Sequence, residues 1–169
     1  MVLCGMSEFN IQTTTEEGVC HIRLAGRVTF TMCRRFDAFI DELFQEPLSD
    51  IILDLRKTDH IDSTMLGLLA KIARIFIERY HHKPALISTR DDINILLDSM
   101  GFEAAFKLRT HADSEPFFLE DIPLLEKSVP MPETLLEAHS LLMDLDARNV
   151  ERFGDTVDAL RDSVDRTAS

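Results

Sequence analysis

The 169-residue chain is 45% hydrophobic with a formal net charge of −12, enough apolar material for one real core, and an acidity that disfavours nucleic acid and anionic membrane surfaces and favours basic protein surfaces. No apolar run approaches the roughly 18–20 residues that span a bilayer, and Met1 to Glu8 contains no basic stretch followed by an apolar one. A cytoplasmic protein with no membrane partner is the expectation.

Phe9 to Thr13 and Val19 to Leu24 read as two short strands around the turn-forming Thr14-Thr15-Glu16-Glu17-Gly18, and should pair as a hairpin that Gly26 ends. From Thr31 to Gln45, Met32, Phe36, Phe39, Ile40, Leu43 and Phe44 recur at helical spacing, with Thr29 or Thr31 as cap, Asp37, Asp41 and Glu42 on the polar side, and Pro47 closing the segment. A phenylalanine stripe of this kind is core. Cys4, Cys20 and Cys33 are odd in number, widely spaced and without a CxxC pair. They fit a reducing compartment, with Cys20 and Cys33 as small buried hydrophobes.

The stretch from Ile51 to Leu69 organises the rest. Ile51 to Leu55, broken only by Asp54, is a central strand covered on both faces; a polar turn leads to Asp62-Ser63-Thr64, and an apolar helical pattern continues to Tyr80. Asp, Ser and Thr are the residues whose side-chain oxygens satisfy free N–H groups at a helix start. Capping is one purpose for Asp62 or Ser63; display of a hydroxyl for modification is the other. Ala85 to Ser88 is a further strand, Asp91-Asp92 opens a helix that Gly101 stops, and Phe106 to Leu108 is a last short strand. His81-His82 marks a solvated turn, since no third metal ligand is suggested by spacing. No phosphate-cradling loop, GxSxG or HExxH is present, so neither cofactor, metal nor catalysis is expected.

The order β-β-α-β-α-β-α-β gives an α/β fold, a mixed sheet with helices packed against it. With Leu24-Ala25-Gly26-Arg27-Val28, Asp54-Leu55, Ile61 to Leu69 and Gly101-Phe102, the chain resembles a STAS domain over residues 8 to 109. This is the fold of bacterial anti-sigma factor antagonists and of sulfate-transporter C-terminal domains. In the antagonists the serine at the start of the second helix is phosphorylated by a partner kinase or anti-sigma factor. Ser63 matches it, Asp62 matches the acidic residue before it, and Thr64 a position where the family often has Ser or Thr. Asp62, Ser63, Thr64, Met65 and Gly67 are the partner-binding set this implies, joined by Asp59 and His60 of the polar loop just before them, placed to assist a kinase or accept a hydrogen bond. Met65 stands where the family commonly has a small residue, and is expected to cover the helix entrance or offer a partner an adaptable apolar contact. The resemblance implies a non-enzymatic partner-switching regulator of bacterial transcription, which binds an anti-sigma factor or a kinase/phosphatase regulator until Ser63 is phosphorylated. The alternatives are a scaffold or transporter-complex subunit without a switch, and a small-ligand or nucleotide-binding module.

Residues 107 to 169 hold fourteen Asp and Glu against seven Lys and Arg. Residues 110 to 132 form a connector, acidic and rich in proline, whose Phe117, Phe118, Leu119, Ile122, Leu124 and Leu125 are too apolar for a flexible linker. It should run extended and pack on the domain or on a partner. Residues 133 to 169 are an acidic helical extension. Leu136, Met143, Val150, Val157 and Val164 recur every seven residues, and a second stripe holds Leu135, Leu142 and Leu145. One long helix and a hairpin broken near Asp146 to Asn149 both fit, the hairpin burying both stripes together. The extension either stabilises the domain or serves as a homodimerisation or regulator-binding element.

Overall fold

The computed structural model describes residues 9 to 169; Cys4 and the expected domain start at residue 8 lie outside them. Strands β1 (Phe9–Glu16) and β2 (Val19–Val28) form the expected antiparallel hairpin. β2 then pairs in parallel with β3 (Asp50–Ile61), β3 with β4 (Ala85–Ile87), and β4 with β5 (Lys107–Arg109). A two-residue strand, β6 (Glu120–Asp121), joins the outer edge of β1, so the sheet order is β5-β4-β3-β2-β1-β6. The helices are α1 (Cys33–Leu43), α2 (Ser63–Tyr80), α3 (Asp91–Ser99), α4 (Met131–Leu145) and α5 (Ala147–Thr167).

Several local expectations are corrected. Gly26 does not end its strand: at φ 77° it sits among register shifts against β3, and β2 continues to Val28. Glycine tolerates this left-handed conformation, so it acts as a bulge. The polar turn expected after Leu55 is also strand. Arg56 to Ile61 extend β3 because β2, prolonged past Gly26, supplies partners for them up to Val28↔Ile61. Neither Thr29 nor Thr31 caps α1. A single 3-10 turn, Phe30–Met32, intervenes, and the two threonine hydroxyls bond each other at 3.0 Å. Asp37, expected on the polar face of α1, is completely buried.

The core is built from Ile11, Cys20, Ile22 and Leu24 of the hairpin, the α1 phenylalanine stripe, Ile51, Leu53 and Leu55 of β3, and α2. Cys33 is buried as expected. From Thr64 to Ala73 every residue of α2 is buried, the signature of a helix covered all round. α4 provides the cover opposite the sheet, contributing Ala138, Leu141 and Leu142 to the core. The extension is the hairpin of the two alternatives. It breaks at Asp146, which adopts an extended conformation (φ −149°, ψ 135°) and caps α5 by accepting from the Arg148 N–H.

The Ser63 face at the start of α2

At the junction of β3 and α2 the two purposes considered for Asp62-Ser63-Thr64 fall on different residues. Asp62 is the cap. Its Oδ1 accepts from the Met65 N–H at 3.0 Å, and its Oδ2 accepts from the Phe30 N–H at 2.6 Å. Its own N–H donates to the Val28 carbonyl. One carboxylate thus satisfies a free donor of α2 and ties the end of β2 to the helix entrance. Thr64 points inward and is buried.

Ser63 is the first helical residue, half-buried, and its hydroxyl has no capping duty. It lies 2.9 Å from His139 Nε2 on α4. His139 Nδ1 is 2.7 Å from the Leu135 carbonyl, which can only accept, so Nδ1 carries a proton. In the neutral ring Nε2 is therefore the acceptor and the Ser63 hydroxyl donates. The imidazole is braced from α5 by the Phe153 ring, edge-on at 5.4 Å between centroids.

One turn further along α2, Gly67 meets the backbone of Ala138. A Cβ there would overlap the Ala138 carbonyl, so only glycine allows α2 and α4 to approach this closely. A turn beyond, Lys71 Nζ bonds Asp37 of α1 at 2.7 Å and Glu137 of α4 at 2.9 Å. The second oxygen of Asp37 takes Lys127 from the connector at 3.0 Å, and Lys127 also reaches Asp41. Burial opposes the Lys127 charge, but Asp37 and Asp41 outweigh it and hold the ammonium above the ordinary lysine range.

The residues expected to meet a partner are thus only partly brought together. Asp59 and His60 are exposed on the end of β3 rather than in a loop, and Asp59 pairs with Arg90 at 3.3 Å. Met65 neither covers the helix entrance nor offers a partner contact. It is 0% exposed, a core residue within a stretch of α2 that is buried on every side. Gly67 is closed off by α4. Phe30, half-exposed beside Asp62, belongs to this face and was not expected; nor were Lys71, Glu137, Ala138 and His139. The α4 residues lie some seventy positions away in sequence, and no motif connects them to Ser63. Among the described residues no group of His, Cys, Asp and Glu is placed to hold a metal, and no helix is long and apolar enough to cross a membrane.

The match that identifies this architecture is to the family model of the STAS domain, over residues 10 to 115. The chain belongs to the STAS domain family. Among solved structures the STAS fold here is similar to that of an anti-sigma factor antagonist from Mycobacterium paratuberculosis, with a TM-score of 0.52 and 14% identity, covering 62% of this chain and 88% of that one. No curated protein sequence matches the chain. The STAS match ends before α4 and α5, so the helices that meet Ser63 lie outside the family's own span.

Proposed function

We propose that the protein is a non-enzymatic partner switch of the anti-sigma factor antagonist type, which binds a regulator protein while Ser63 is unmodified and releases it when Ser63 is phosphorylated. One observation carries the reading. Asp62 performs the capping, so the Ser63 hydroxyl stands at the helix entrance without a backbone duty. The family membership supports it, as does the antagonist description of the structural neighbour. The partner is an anti-sigma factor or a serine kinase/phosphatase regulator, and its contact face includes Phe30, Asp59, His60 and Ser63 and continues along α2.

A phosphate on Ser63 adds about −1.5 to −2 charge at the positive end of α2, where the helix tolerates it. At a docking surface the same charge is disruptive. Two unit charges at about 4 Å interact by about 4 kcal/mol at an effective dielectric of 20, enough to shift binding a hundredfold or more.

Affinity capture with Ser63→Ala and Ser63→Asp baits tests this. A regulator held by the alanine bait and lost by the aspartate bait, with phosphoserine at position 63 in the native protein by mass spectrometry, is the expected outcome. Equal retention by both baits refutes the switch. The second reading, a STAS scaffold without a switch, is favoured by the Ser63–His139 hydrogen bond, which gives the serine a purely structural use. Under it Ser63→Ala costs about 1 kcal/mol of stability and changes no captured partner.

A further inference from the structure

We infer that the α4–α5 hairpin occupies, within the chain, the face of α2 that the proposed partner takes, so that a partner gains that face only after the hairpin lifts. The inference rests on the partner-switch reading. Ser63, Gly67 and Lys71 are successive turns of one stripe on α2, and consecutive residues of α4 answer them: His139 the hydroxyl, Ala138 the glycine, Glu137 the ammonium. The contact is complementary in shape and charge, as a docked ligand would be.

The cover is also one that can leave. Of the three buried side-chain atoms without a hydrogen-bond partner among the described residues, two belong to the hairpin, Thr134 Oγ1 and Asn149 Oδ1. Their burial without a partner costs free energy in the docked hairpin, set against the bonds that Asn149 Nδ2 and Arg152 donate to the Met100 and Ser99 carbonyls. The polar contacts of the stripe are likewise ones that water can replace. Lifting does expose Ala138, Leu141 and Leu142, and that loss defines what must take their place. The partner presents a helix with a small residue over Gly67, a carboxylate facing Lys71 and leucine-like side chains beside them.

The test uses the full chain bearing Ser63→Cys, Cys4→Ser and Cys33→Ala, because Cys33 Sγ lies 3.1 Å from Met131 Sδ of α4 and is uncovered with the hairpin, whereas Cys20 stays in place as a buried thiol beside Thr13 of β1. N-ethylmaleimide labelling of the introduced thiol is timed with and without Gly67→Ala. Alanine improves intrinsic helix propensity and has Ala138 of α4 as its nearest obstacle, so it dislodges the hairpin while leaving α2 helical. Labelling accelerated about tenfold, as a raised population of the open state requires, is expected, with circular dichroism unchanged. Glu137→Lys, which sets two ammonium groups against each other, should accelerate it in the same direction and decides the matter if Gly67→Ala fails to fold. Unchanged labelling in a folded variant overturns the cover. In the capture experiment, adding Glu137→Lys to the Ser63→Ala bait should raise the yield of the same regulator severalfold. Faster labelling with no gain in capture overturns the shared face. Faster labelling with no difference between the Ser63→Ala and Ser63→Asp baits leaves the hairpin mobile and refutes the switch on which the inference rests.

Discussion

Asp37 is a carboxylate with no exposure, held between Lys71 at 2.7 Å and Lys127 at 3.0 Å. Removing one member of a buried ionic group leaves the others uncompensated, at a cost of about 3–5 kcal/mol. Asp37→Ala is therefore expected to lower unfolding free energy by about that amount in urea titration, and a loss below about 1 kcal/mol would show that water already reaches the site. The sequence placed Asp37 on a wet face, correctly by helical spacing and wrongly in space. The spacing of α1 was legible; the lysine that completes its polar side comes from a connector ninety residues on, and nothing local encodes that. The position of Ser63 at the start of α2 was legible because Asp62 and the apolar helical pattern after it are sequential, whereas its partner His139 was not. Met65 was misplaced because a single-residue departure from a family pattern carries no information about the direction of a side chain.

Between elements, the joint of α4 and α5 depends on Asp146. Arg148 holds this carboxyl well below its ordinary value of 3.8, at about 2, through side-chain and backbone hydrogen bonds. A depressed carboxyl contributes stability that is present above the ordinary value and lost as pH falls through the lowered one. The hairpin should thus loosen between about pH 3.8 and 2, and Asp146→Asn should lose this step from an acid titration of the far-UV signal while keeping the rest. Gly101, at φ 81°, faces the same residue, and a Cβ there would overlap the Asp146 side chain. Gly101→Ala combines a left-handed strain with that clash and is expected to cost about 1–3 kcal/mol, measured by thermal unfolding; a neutral result would show that the joint can move aside. Heptad spacing pointed to this extension without choosing its form. Val157 is buried while Val150 of the same stripe is about half exposed, since α5 turns back on α4 at the extended Asp146 and no continuous seam is formed.

At the scale of the whole molecule the α/β order was readable because alternating and 3.6-residue apolar patterns are local properties. Strand lengths were not: β3 runs to Ile61 only because β2 continues through the Gly26 bulge, a tertiary pairing that the polar residues Arg56 to His60 hide. The connector was equally opaque, since an apolar, proline-bearing stretch can pack anywhere, and here it divides. Ile122 is buried and Lys127 is clamped, while Phe117 is 97% and Leu124 84% exposed.

The short strand β6 has one more consequence. It pairs with Gln12 and Thr13, the Ile122 N–H donates to the Ile11 carbonyl, and Arg35 reaches across from α1 to the carbonyls of Ile122 and Pro123. These residues shield part of an otherwise open sheet edge, the kind of edge that recruits strands from other molecules. A chain cut at residue 115, where the family match stops, keeps every strand of the STAS unit and loses this guard. It is expected to self-associate in light scattering more strongly than a chain cut after residue 129, which bares the same face of α2 but keeps β6. The span of the family match and the guard on its open edge thus end at different places in the chain.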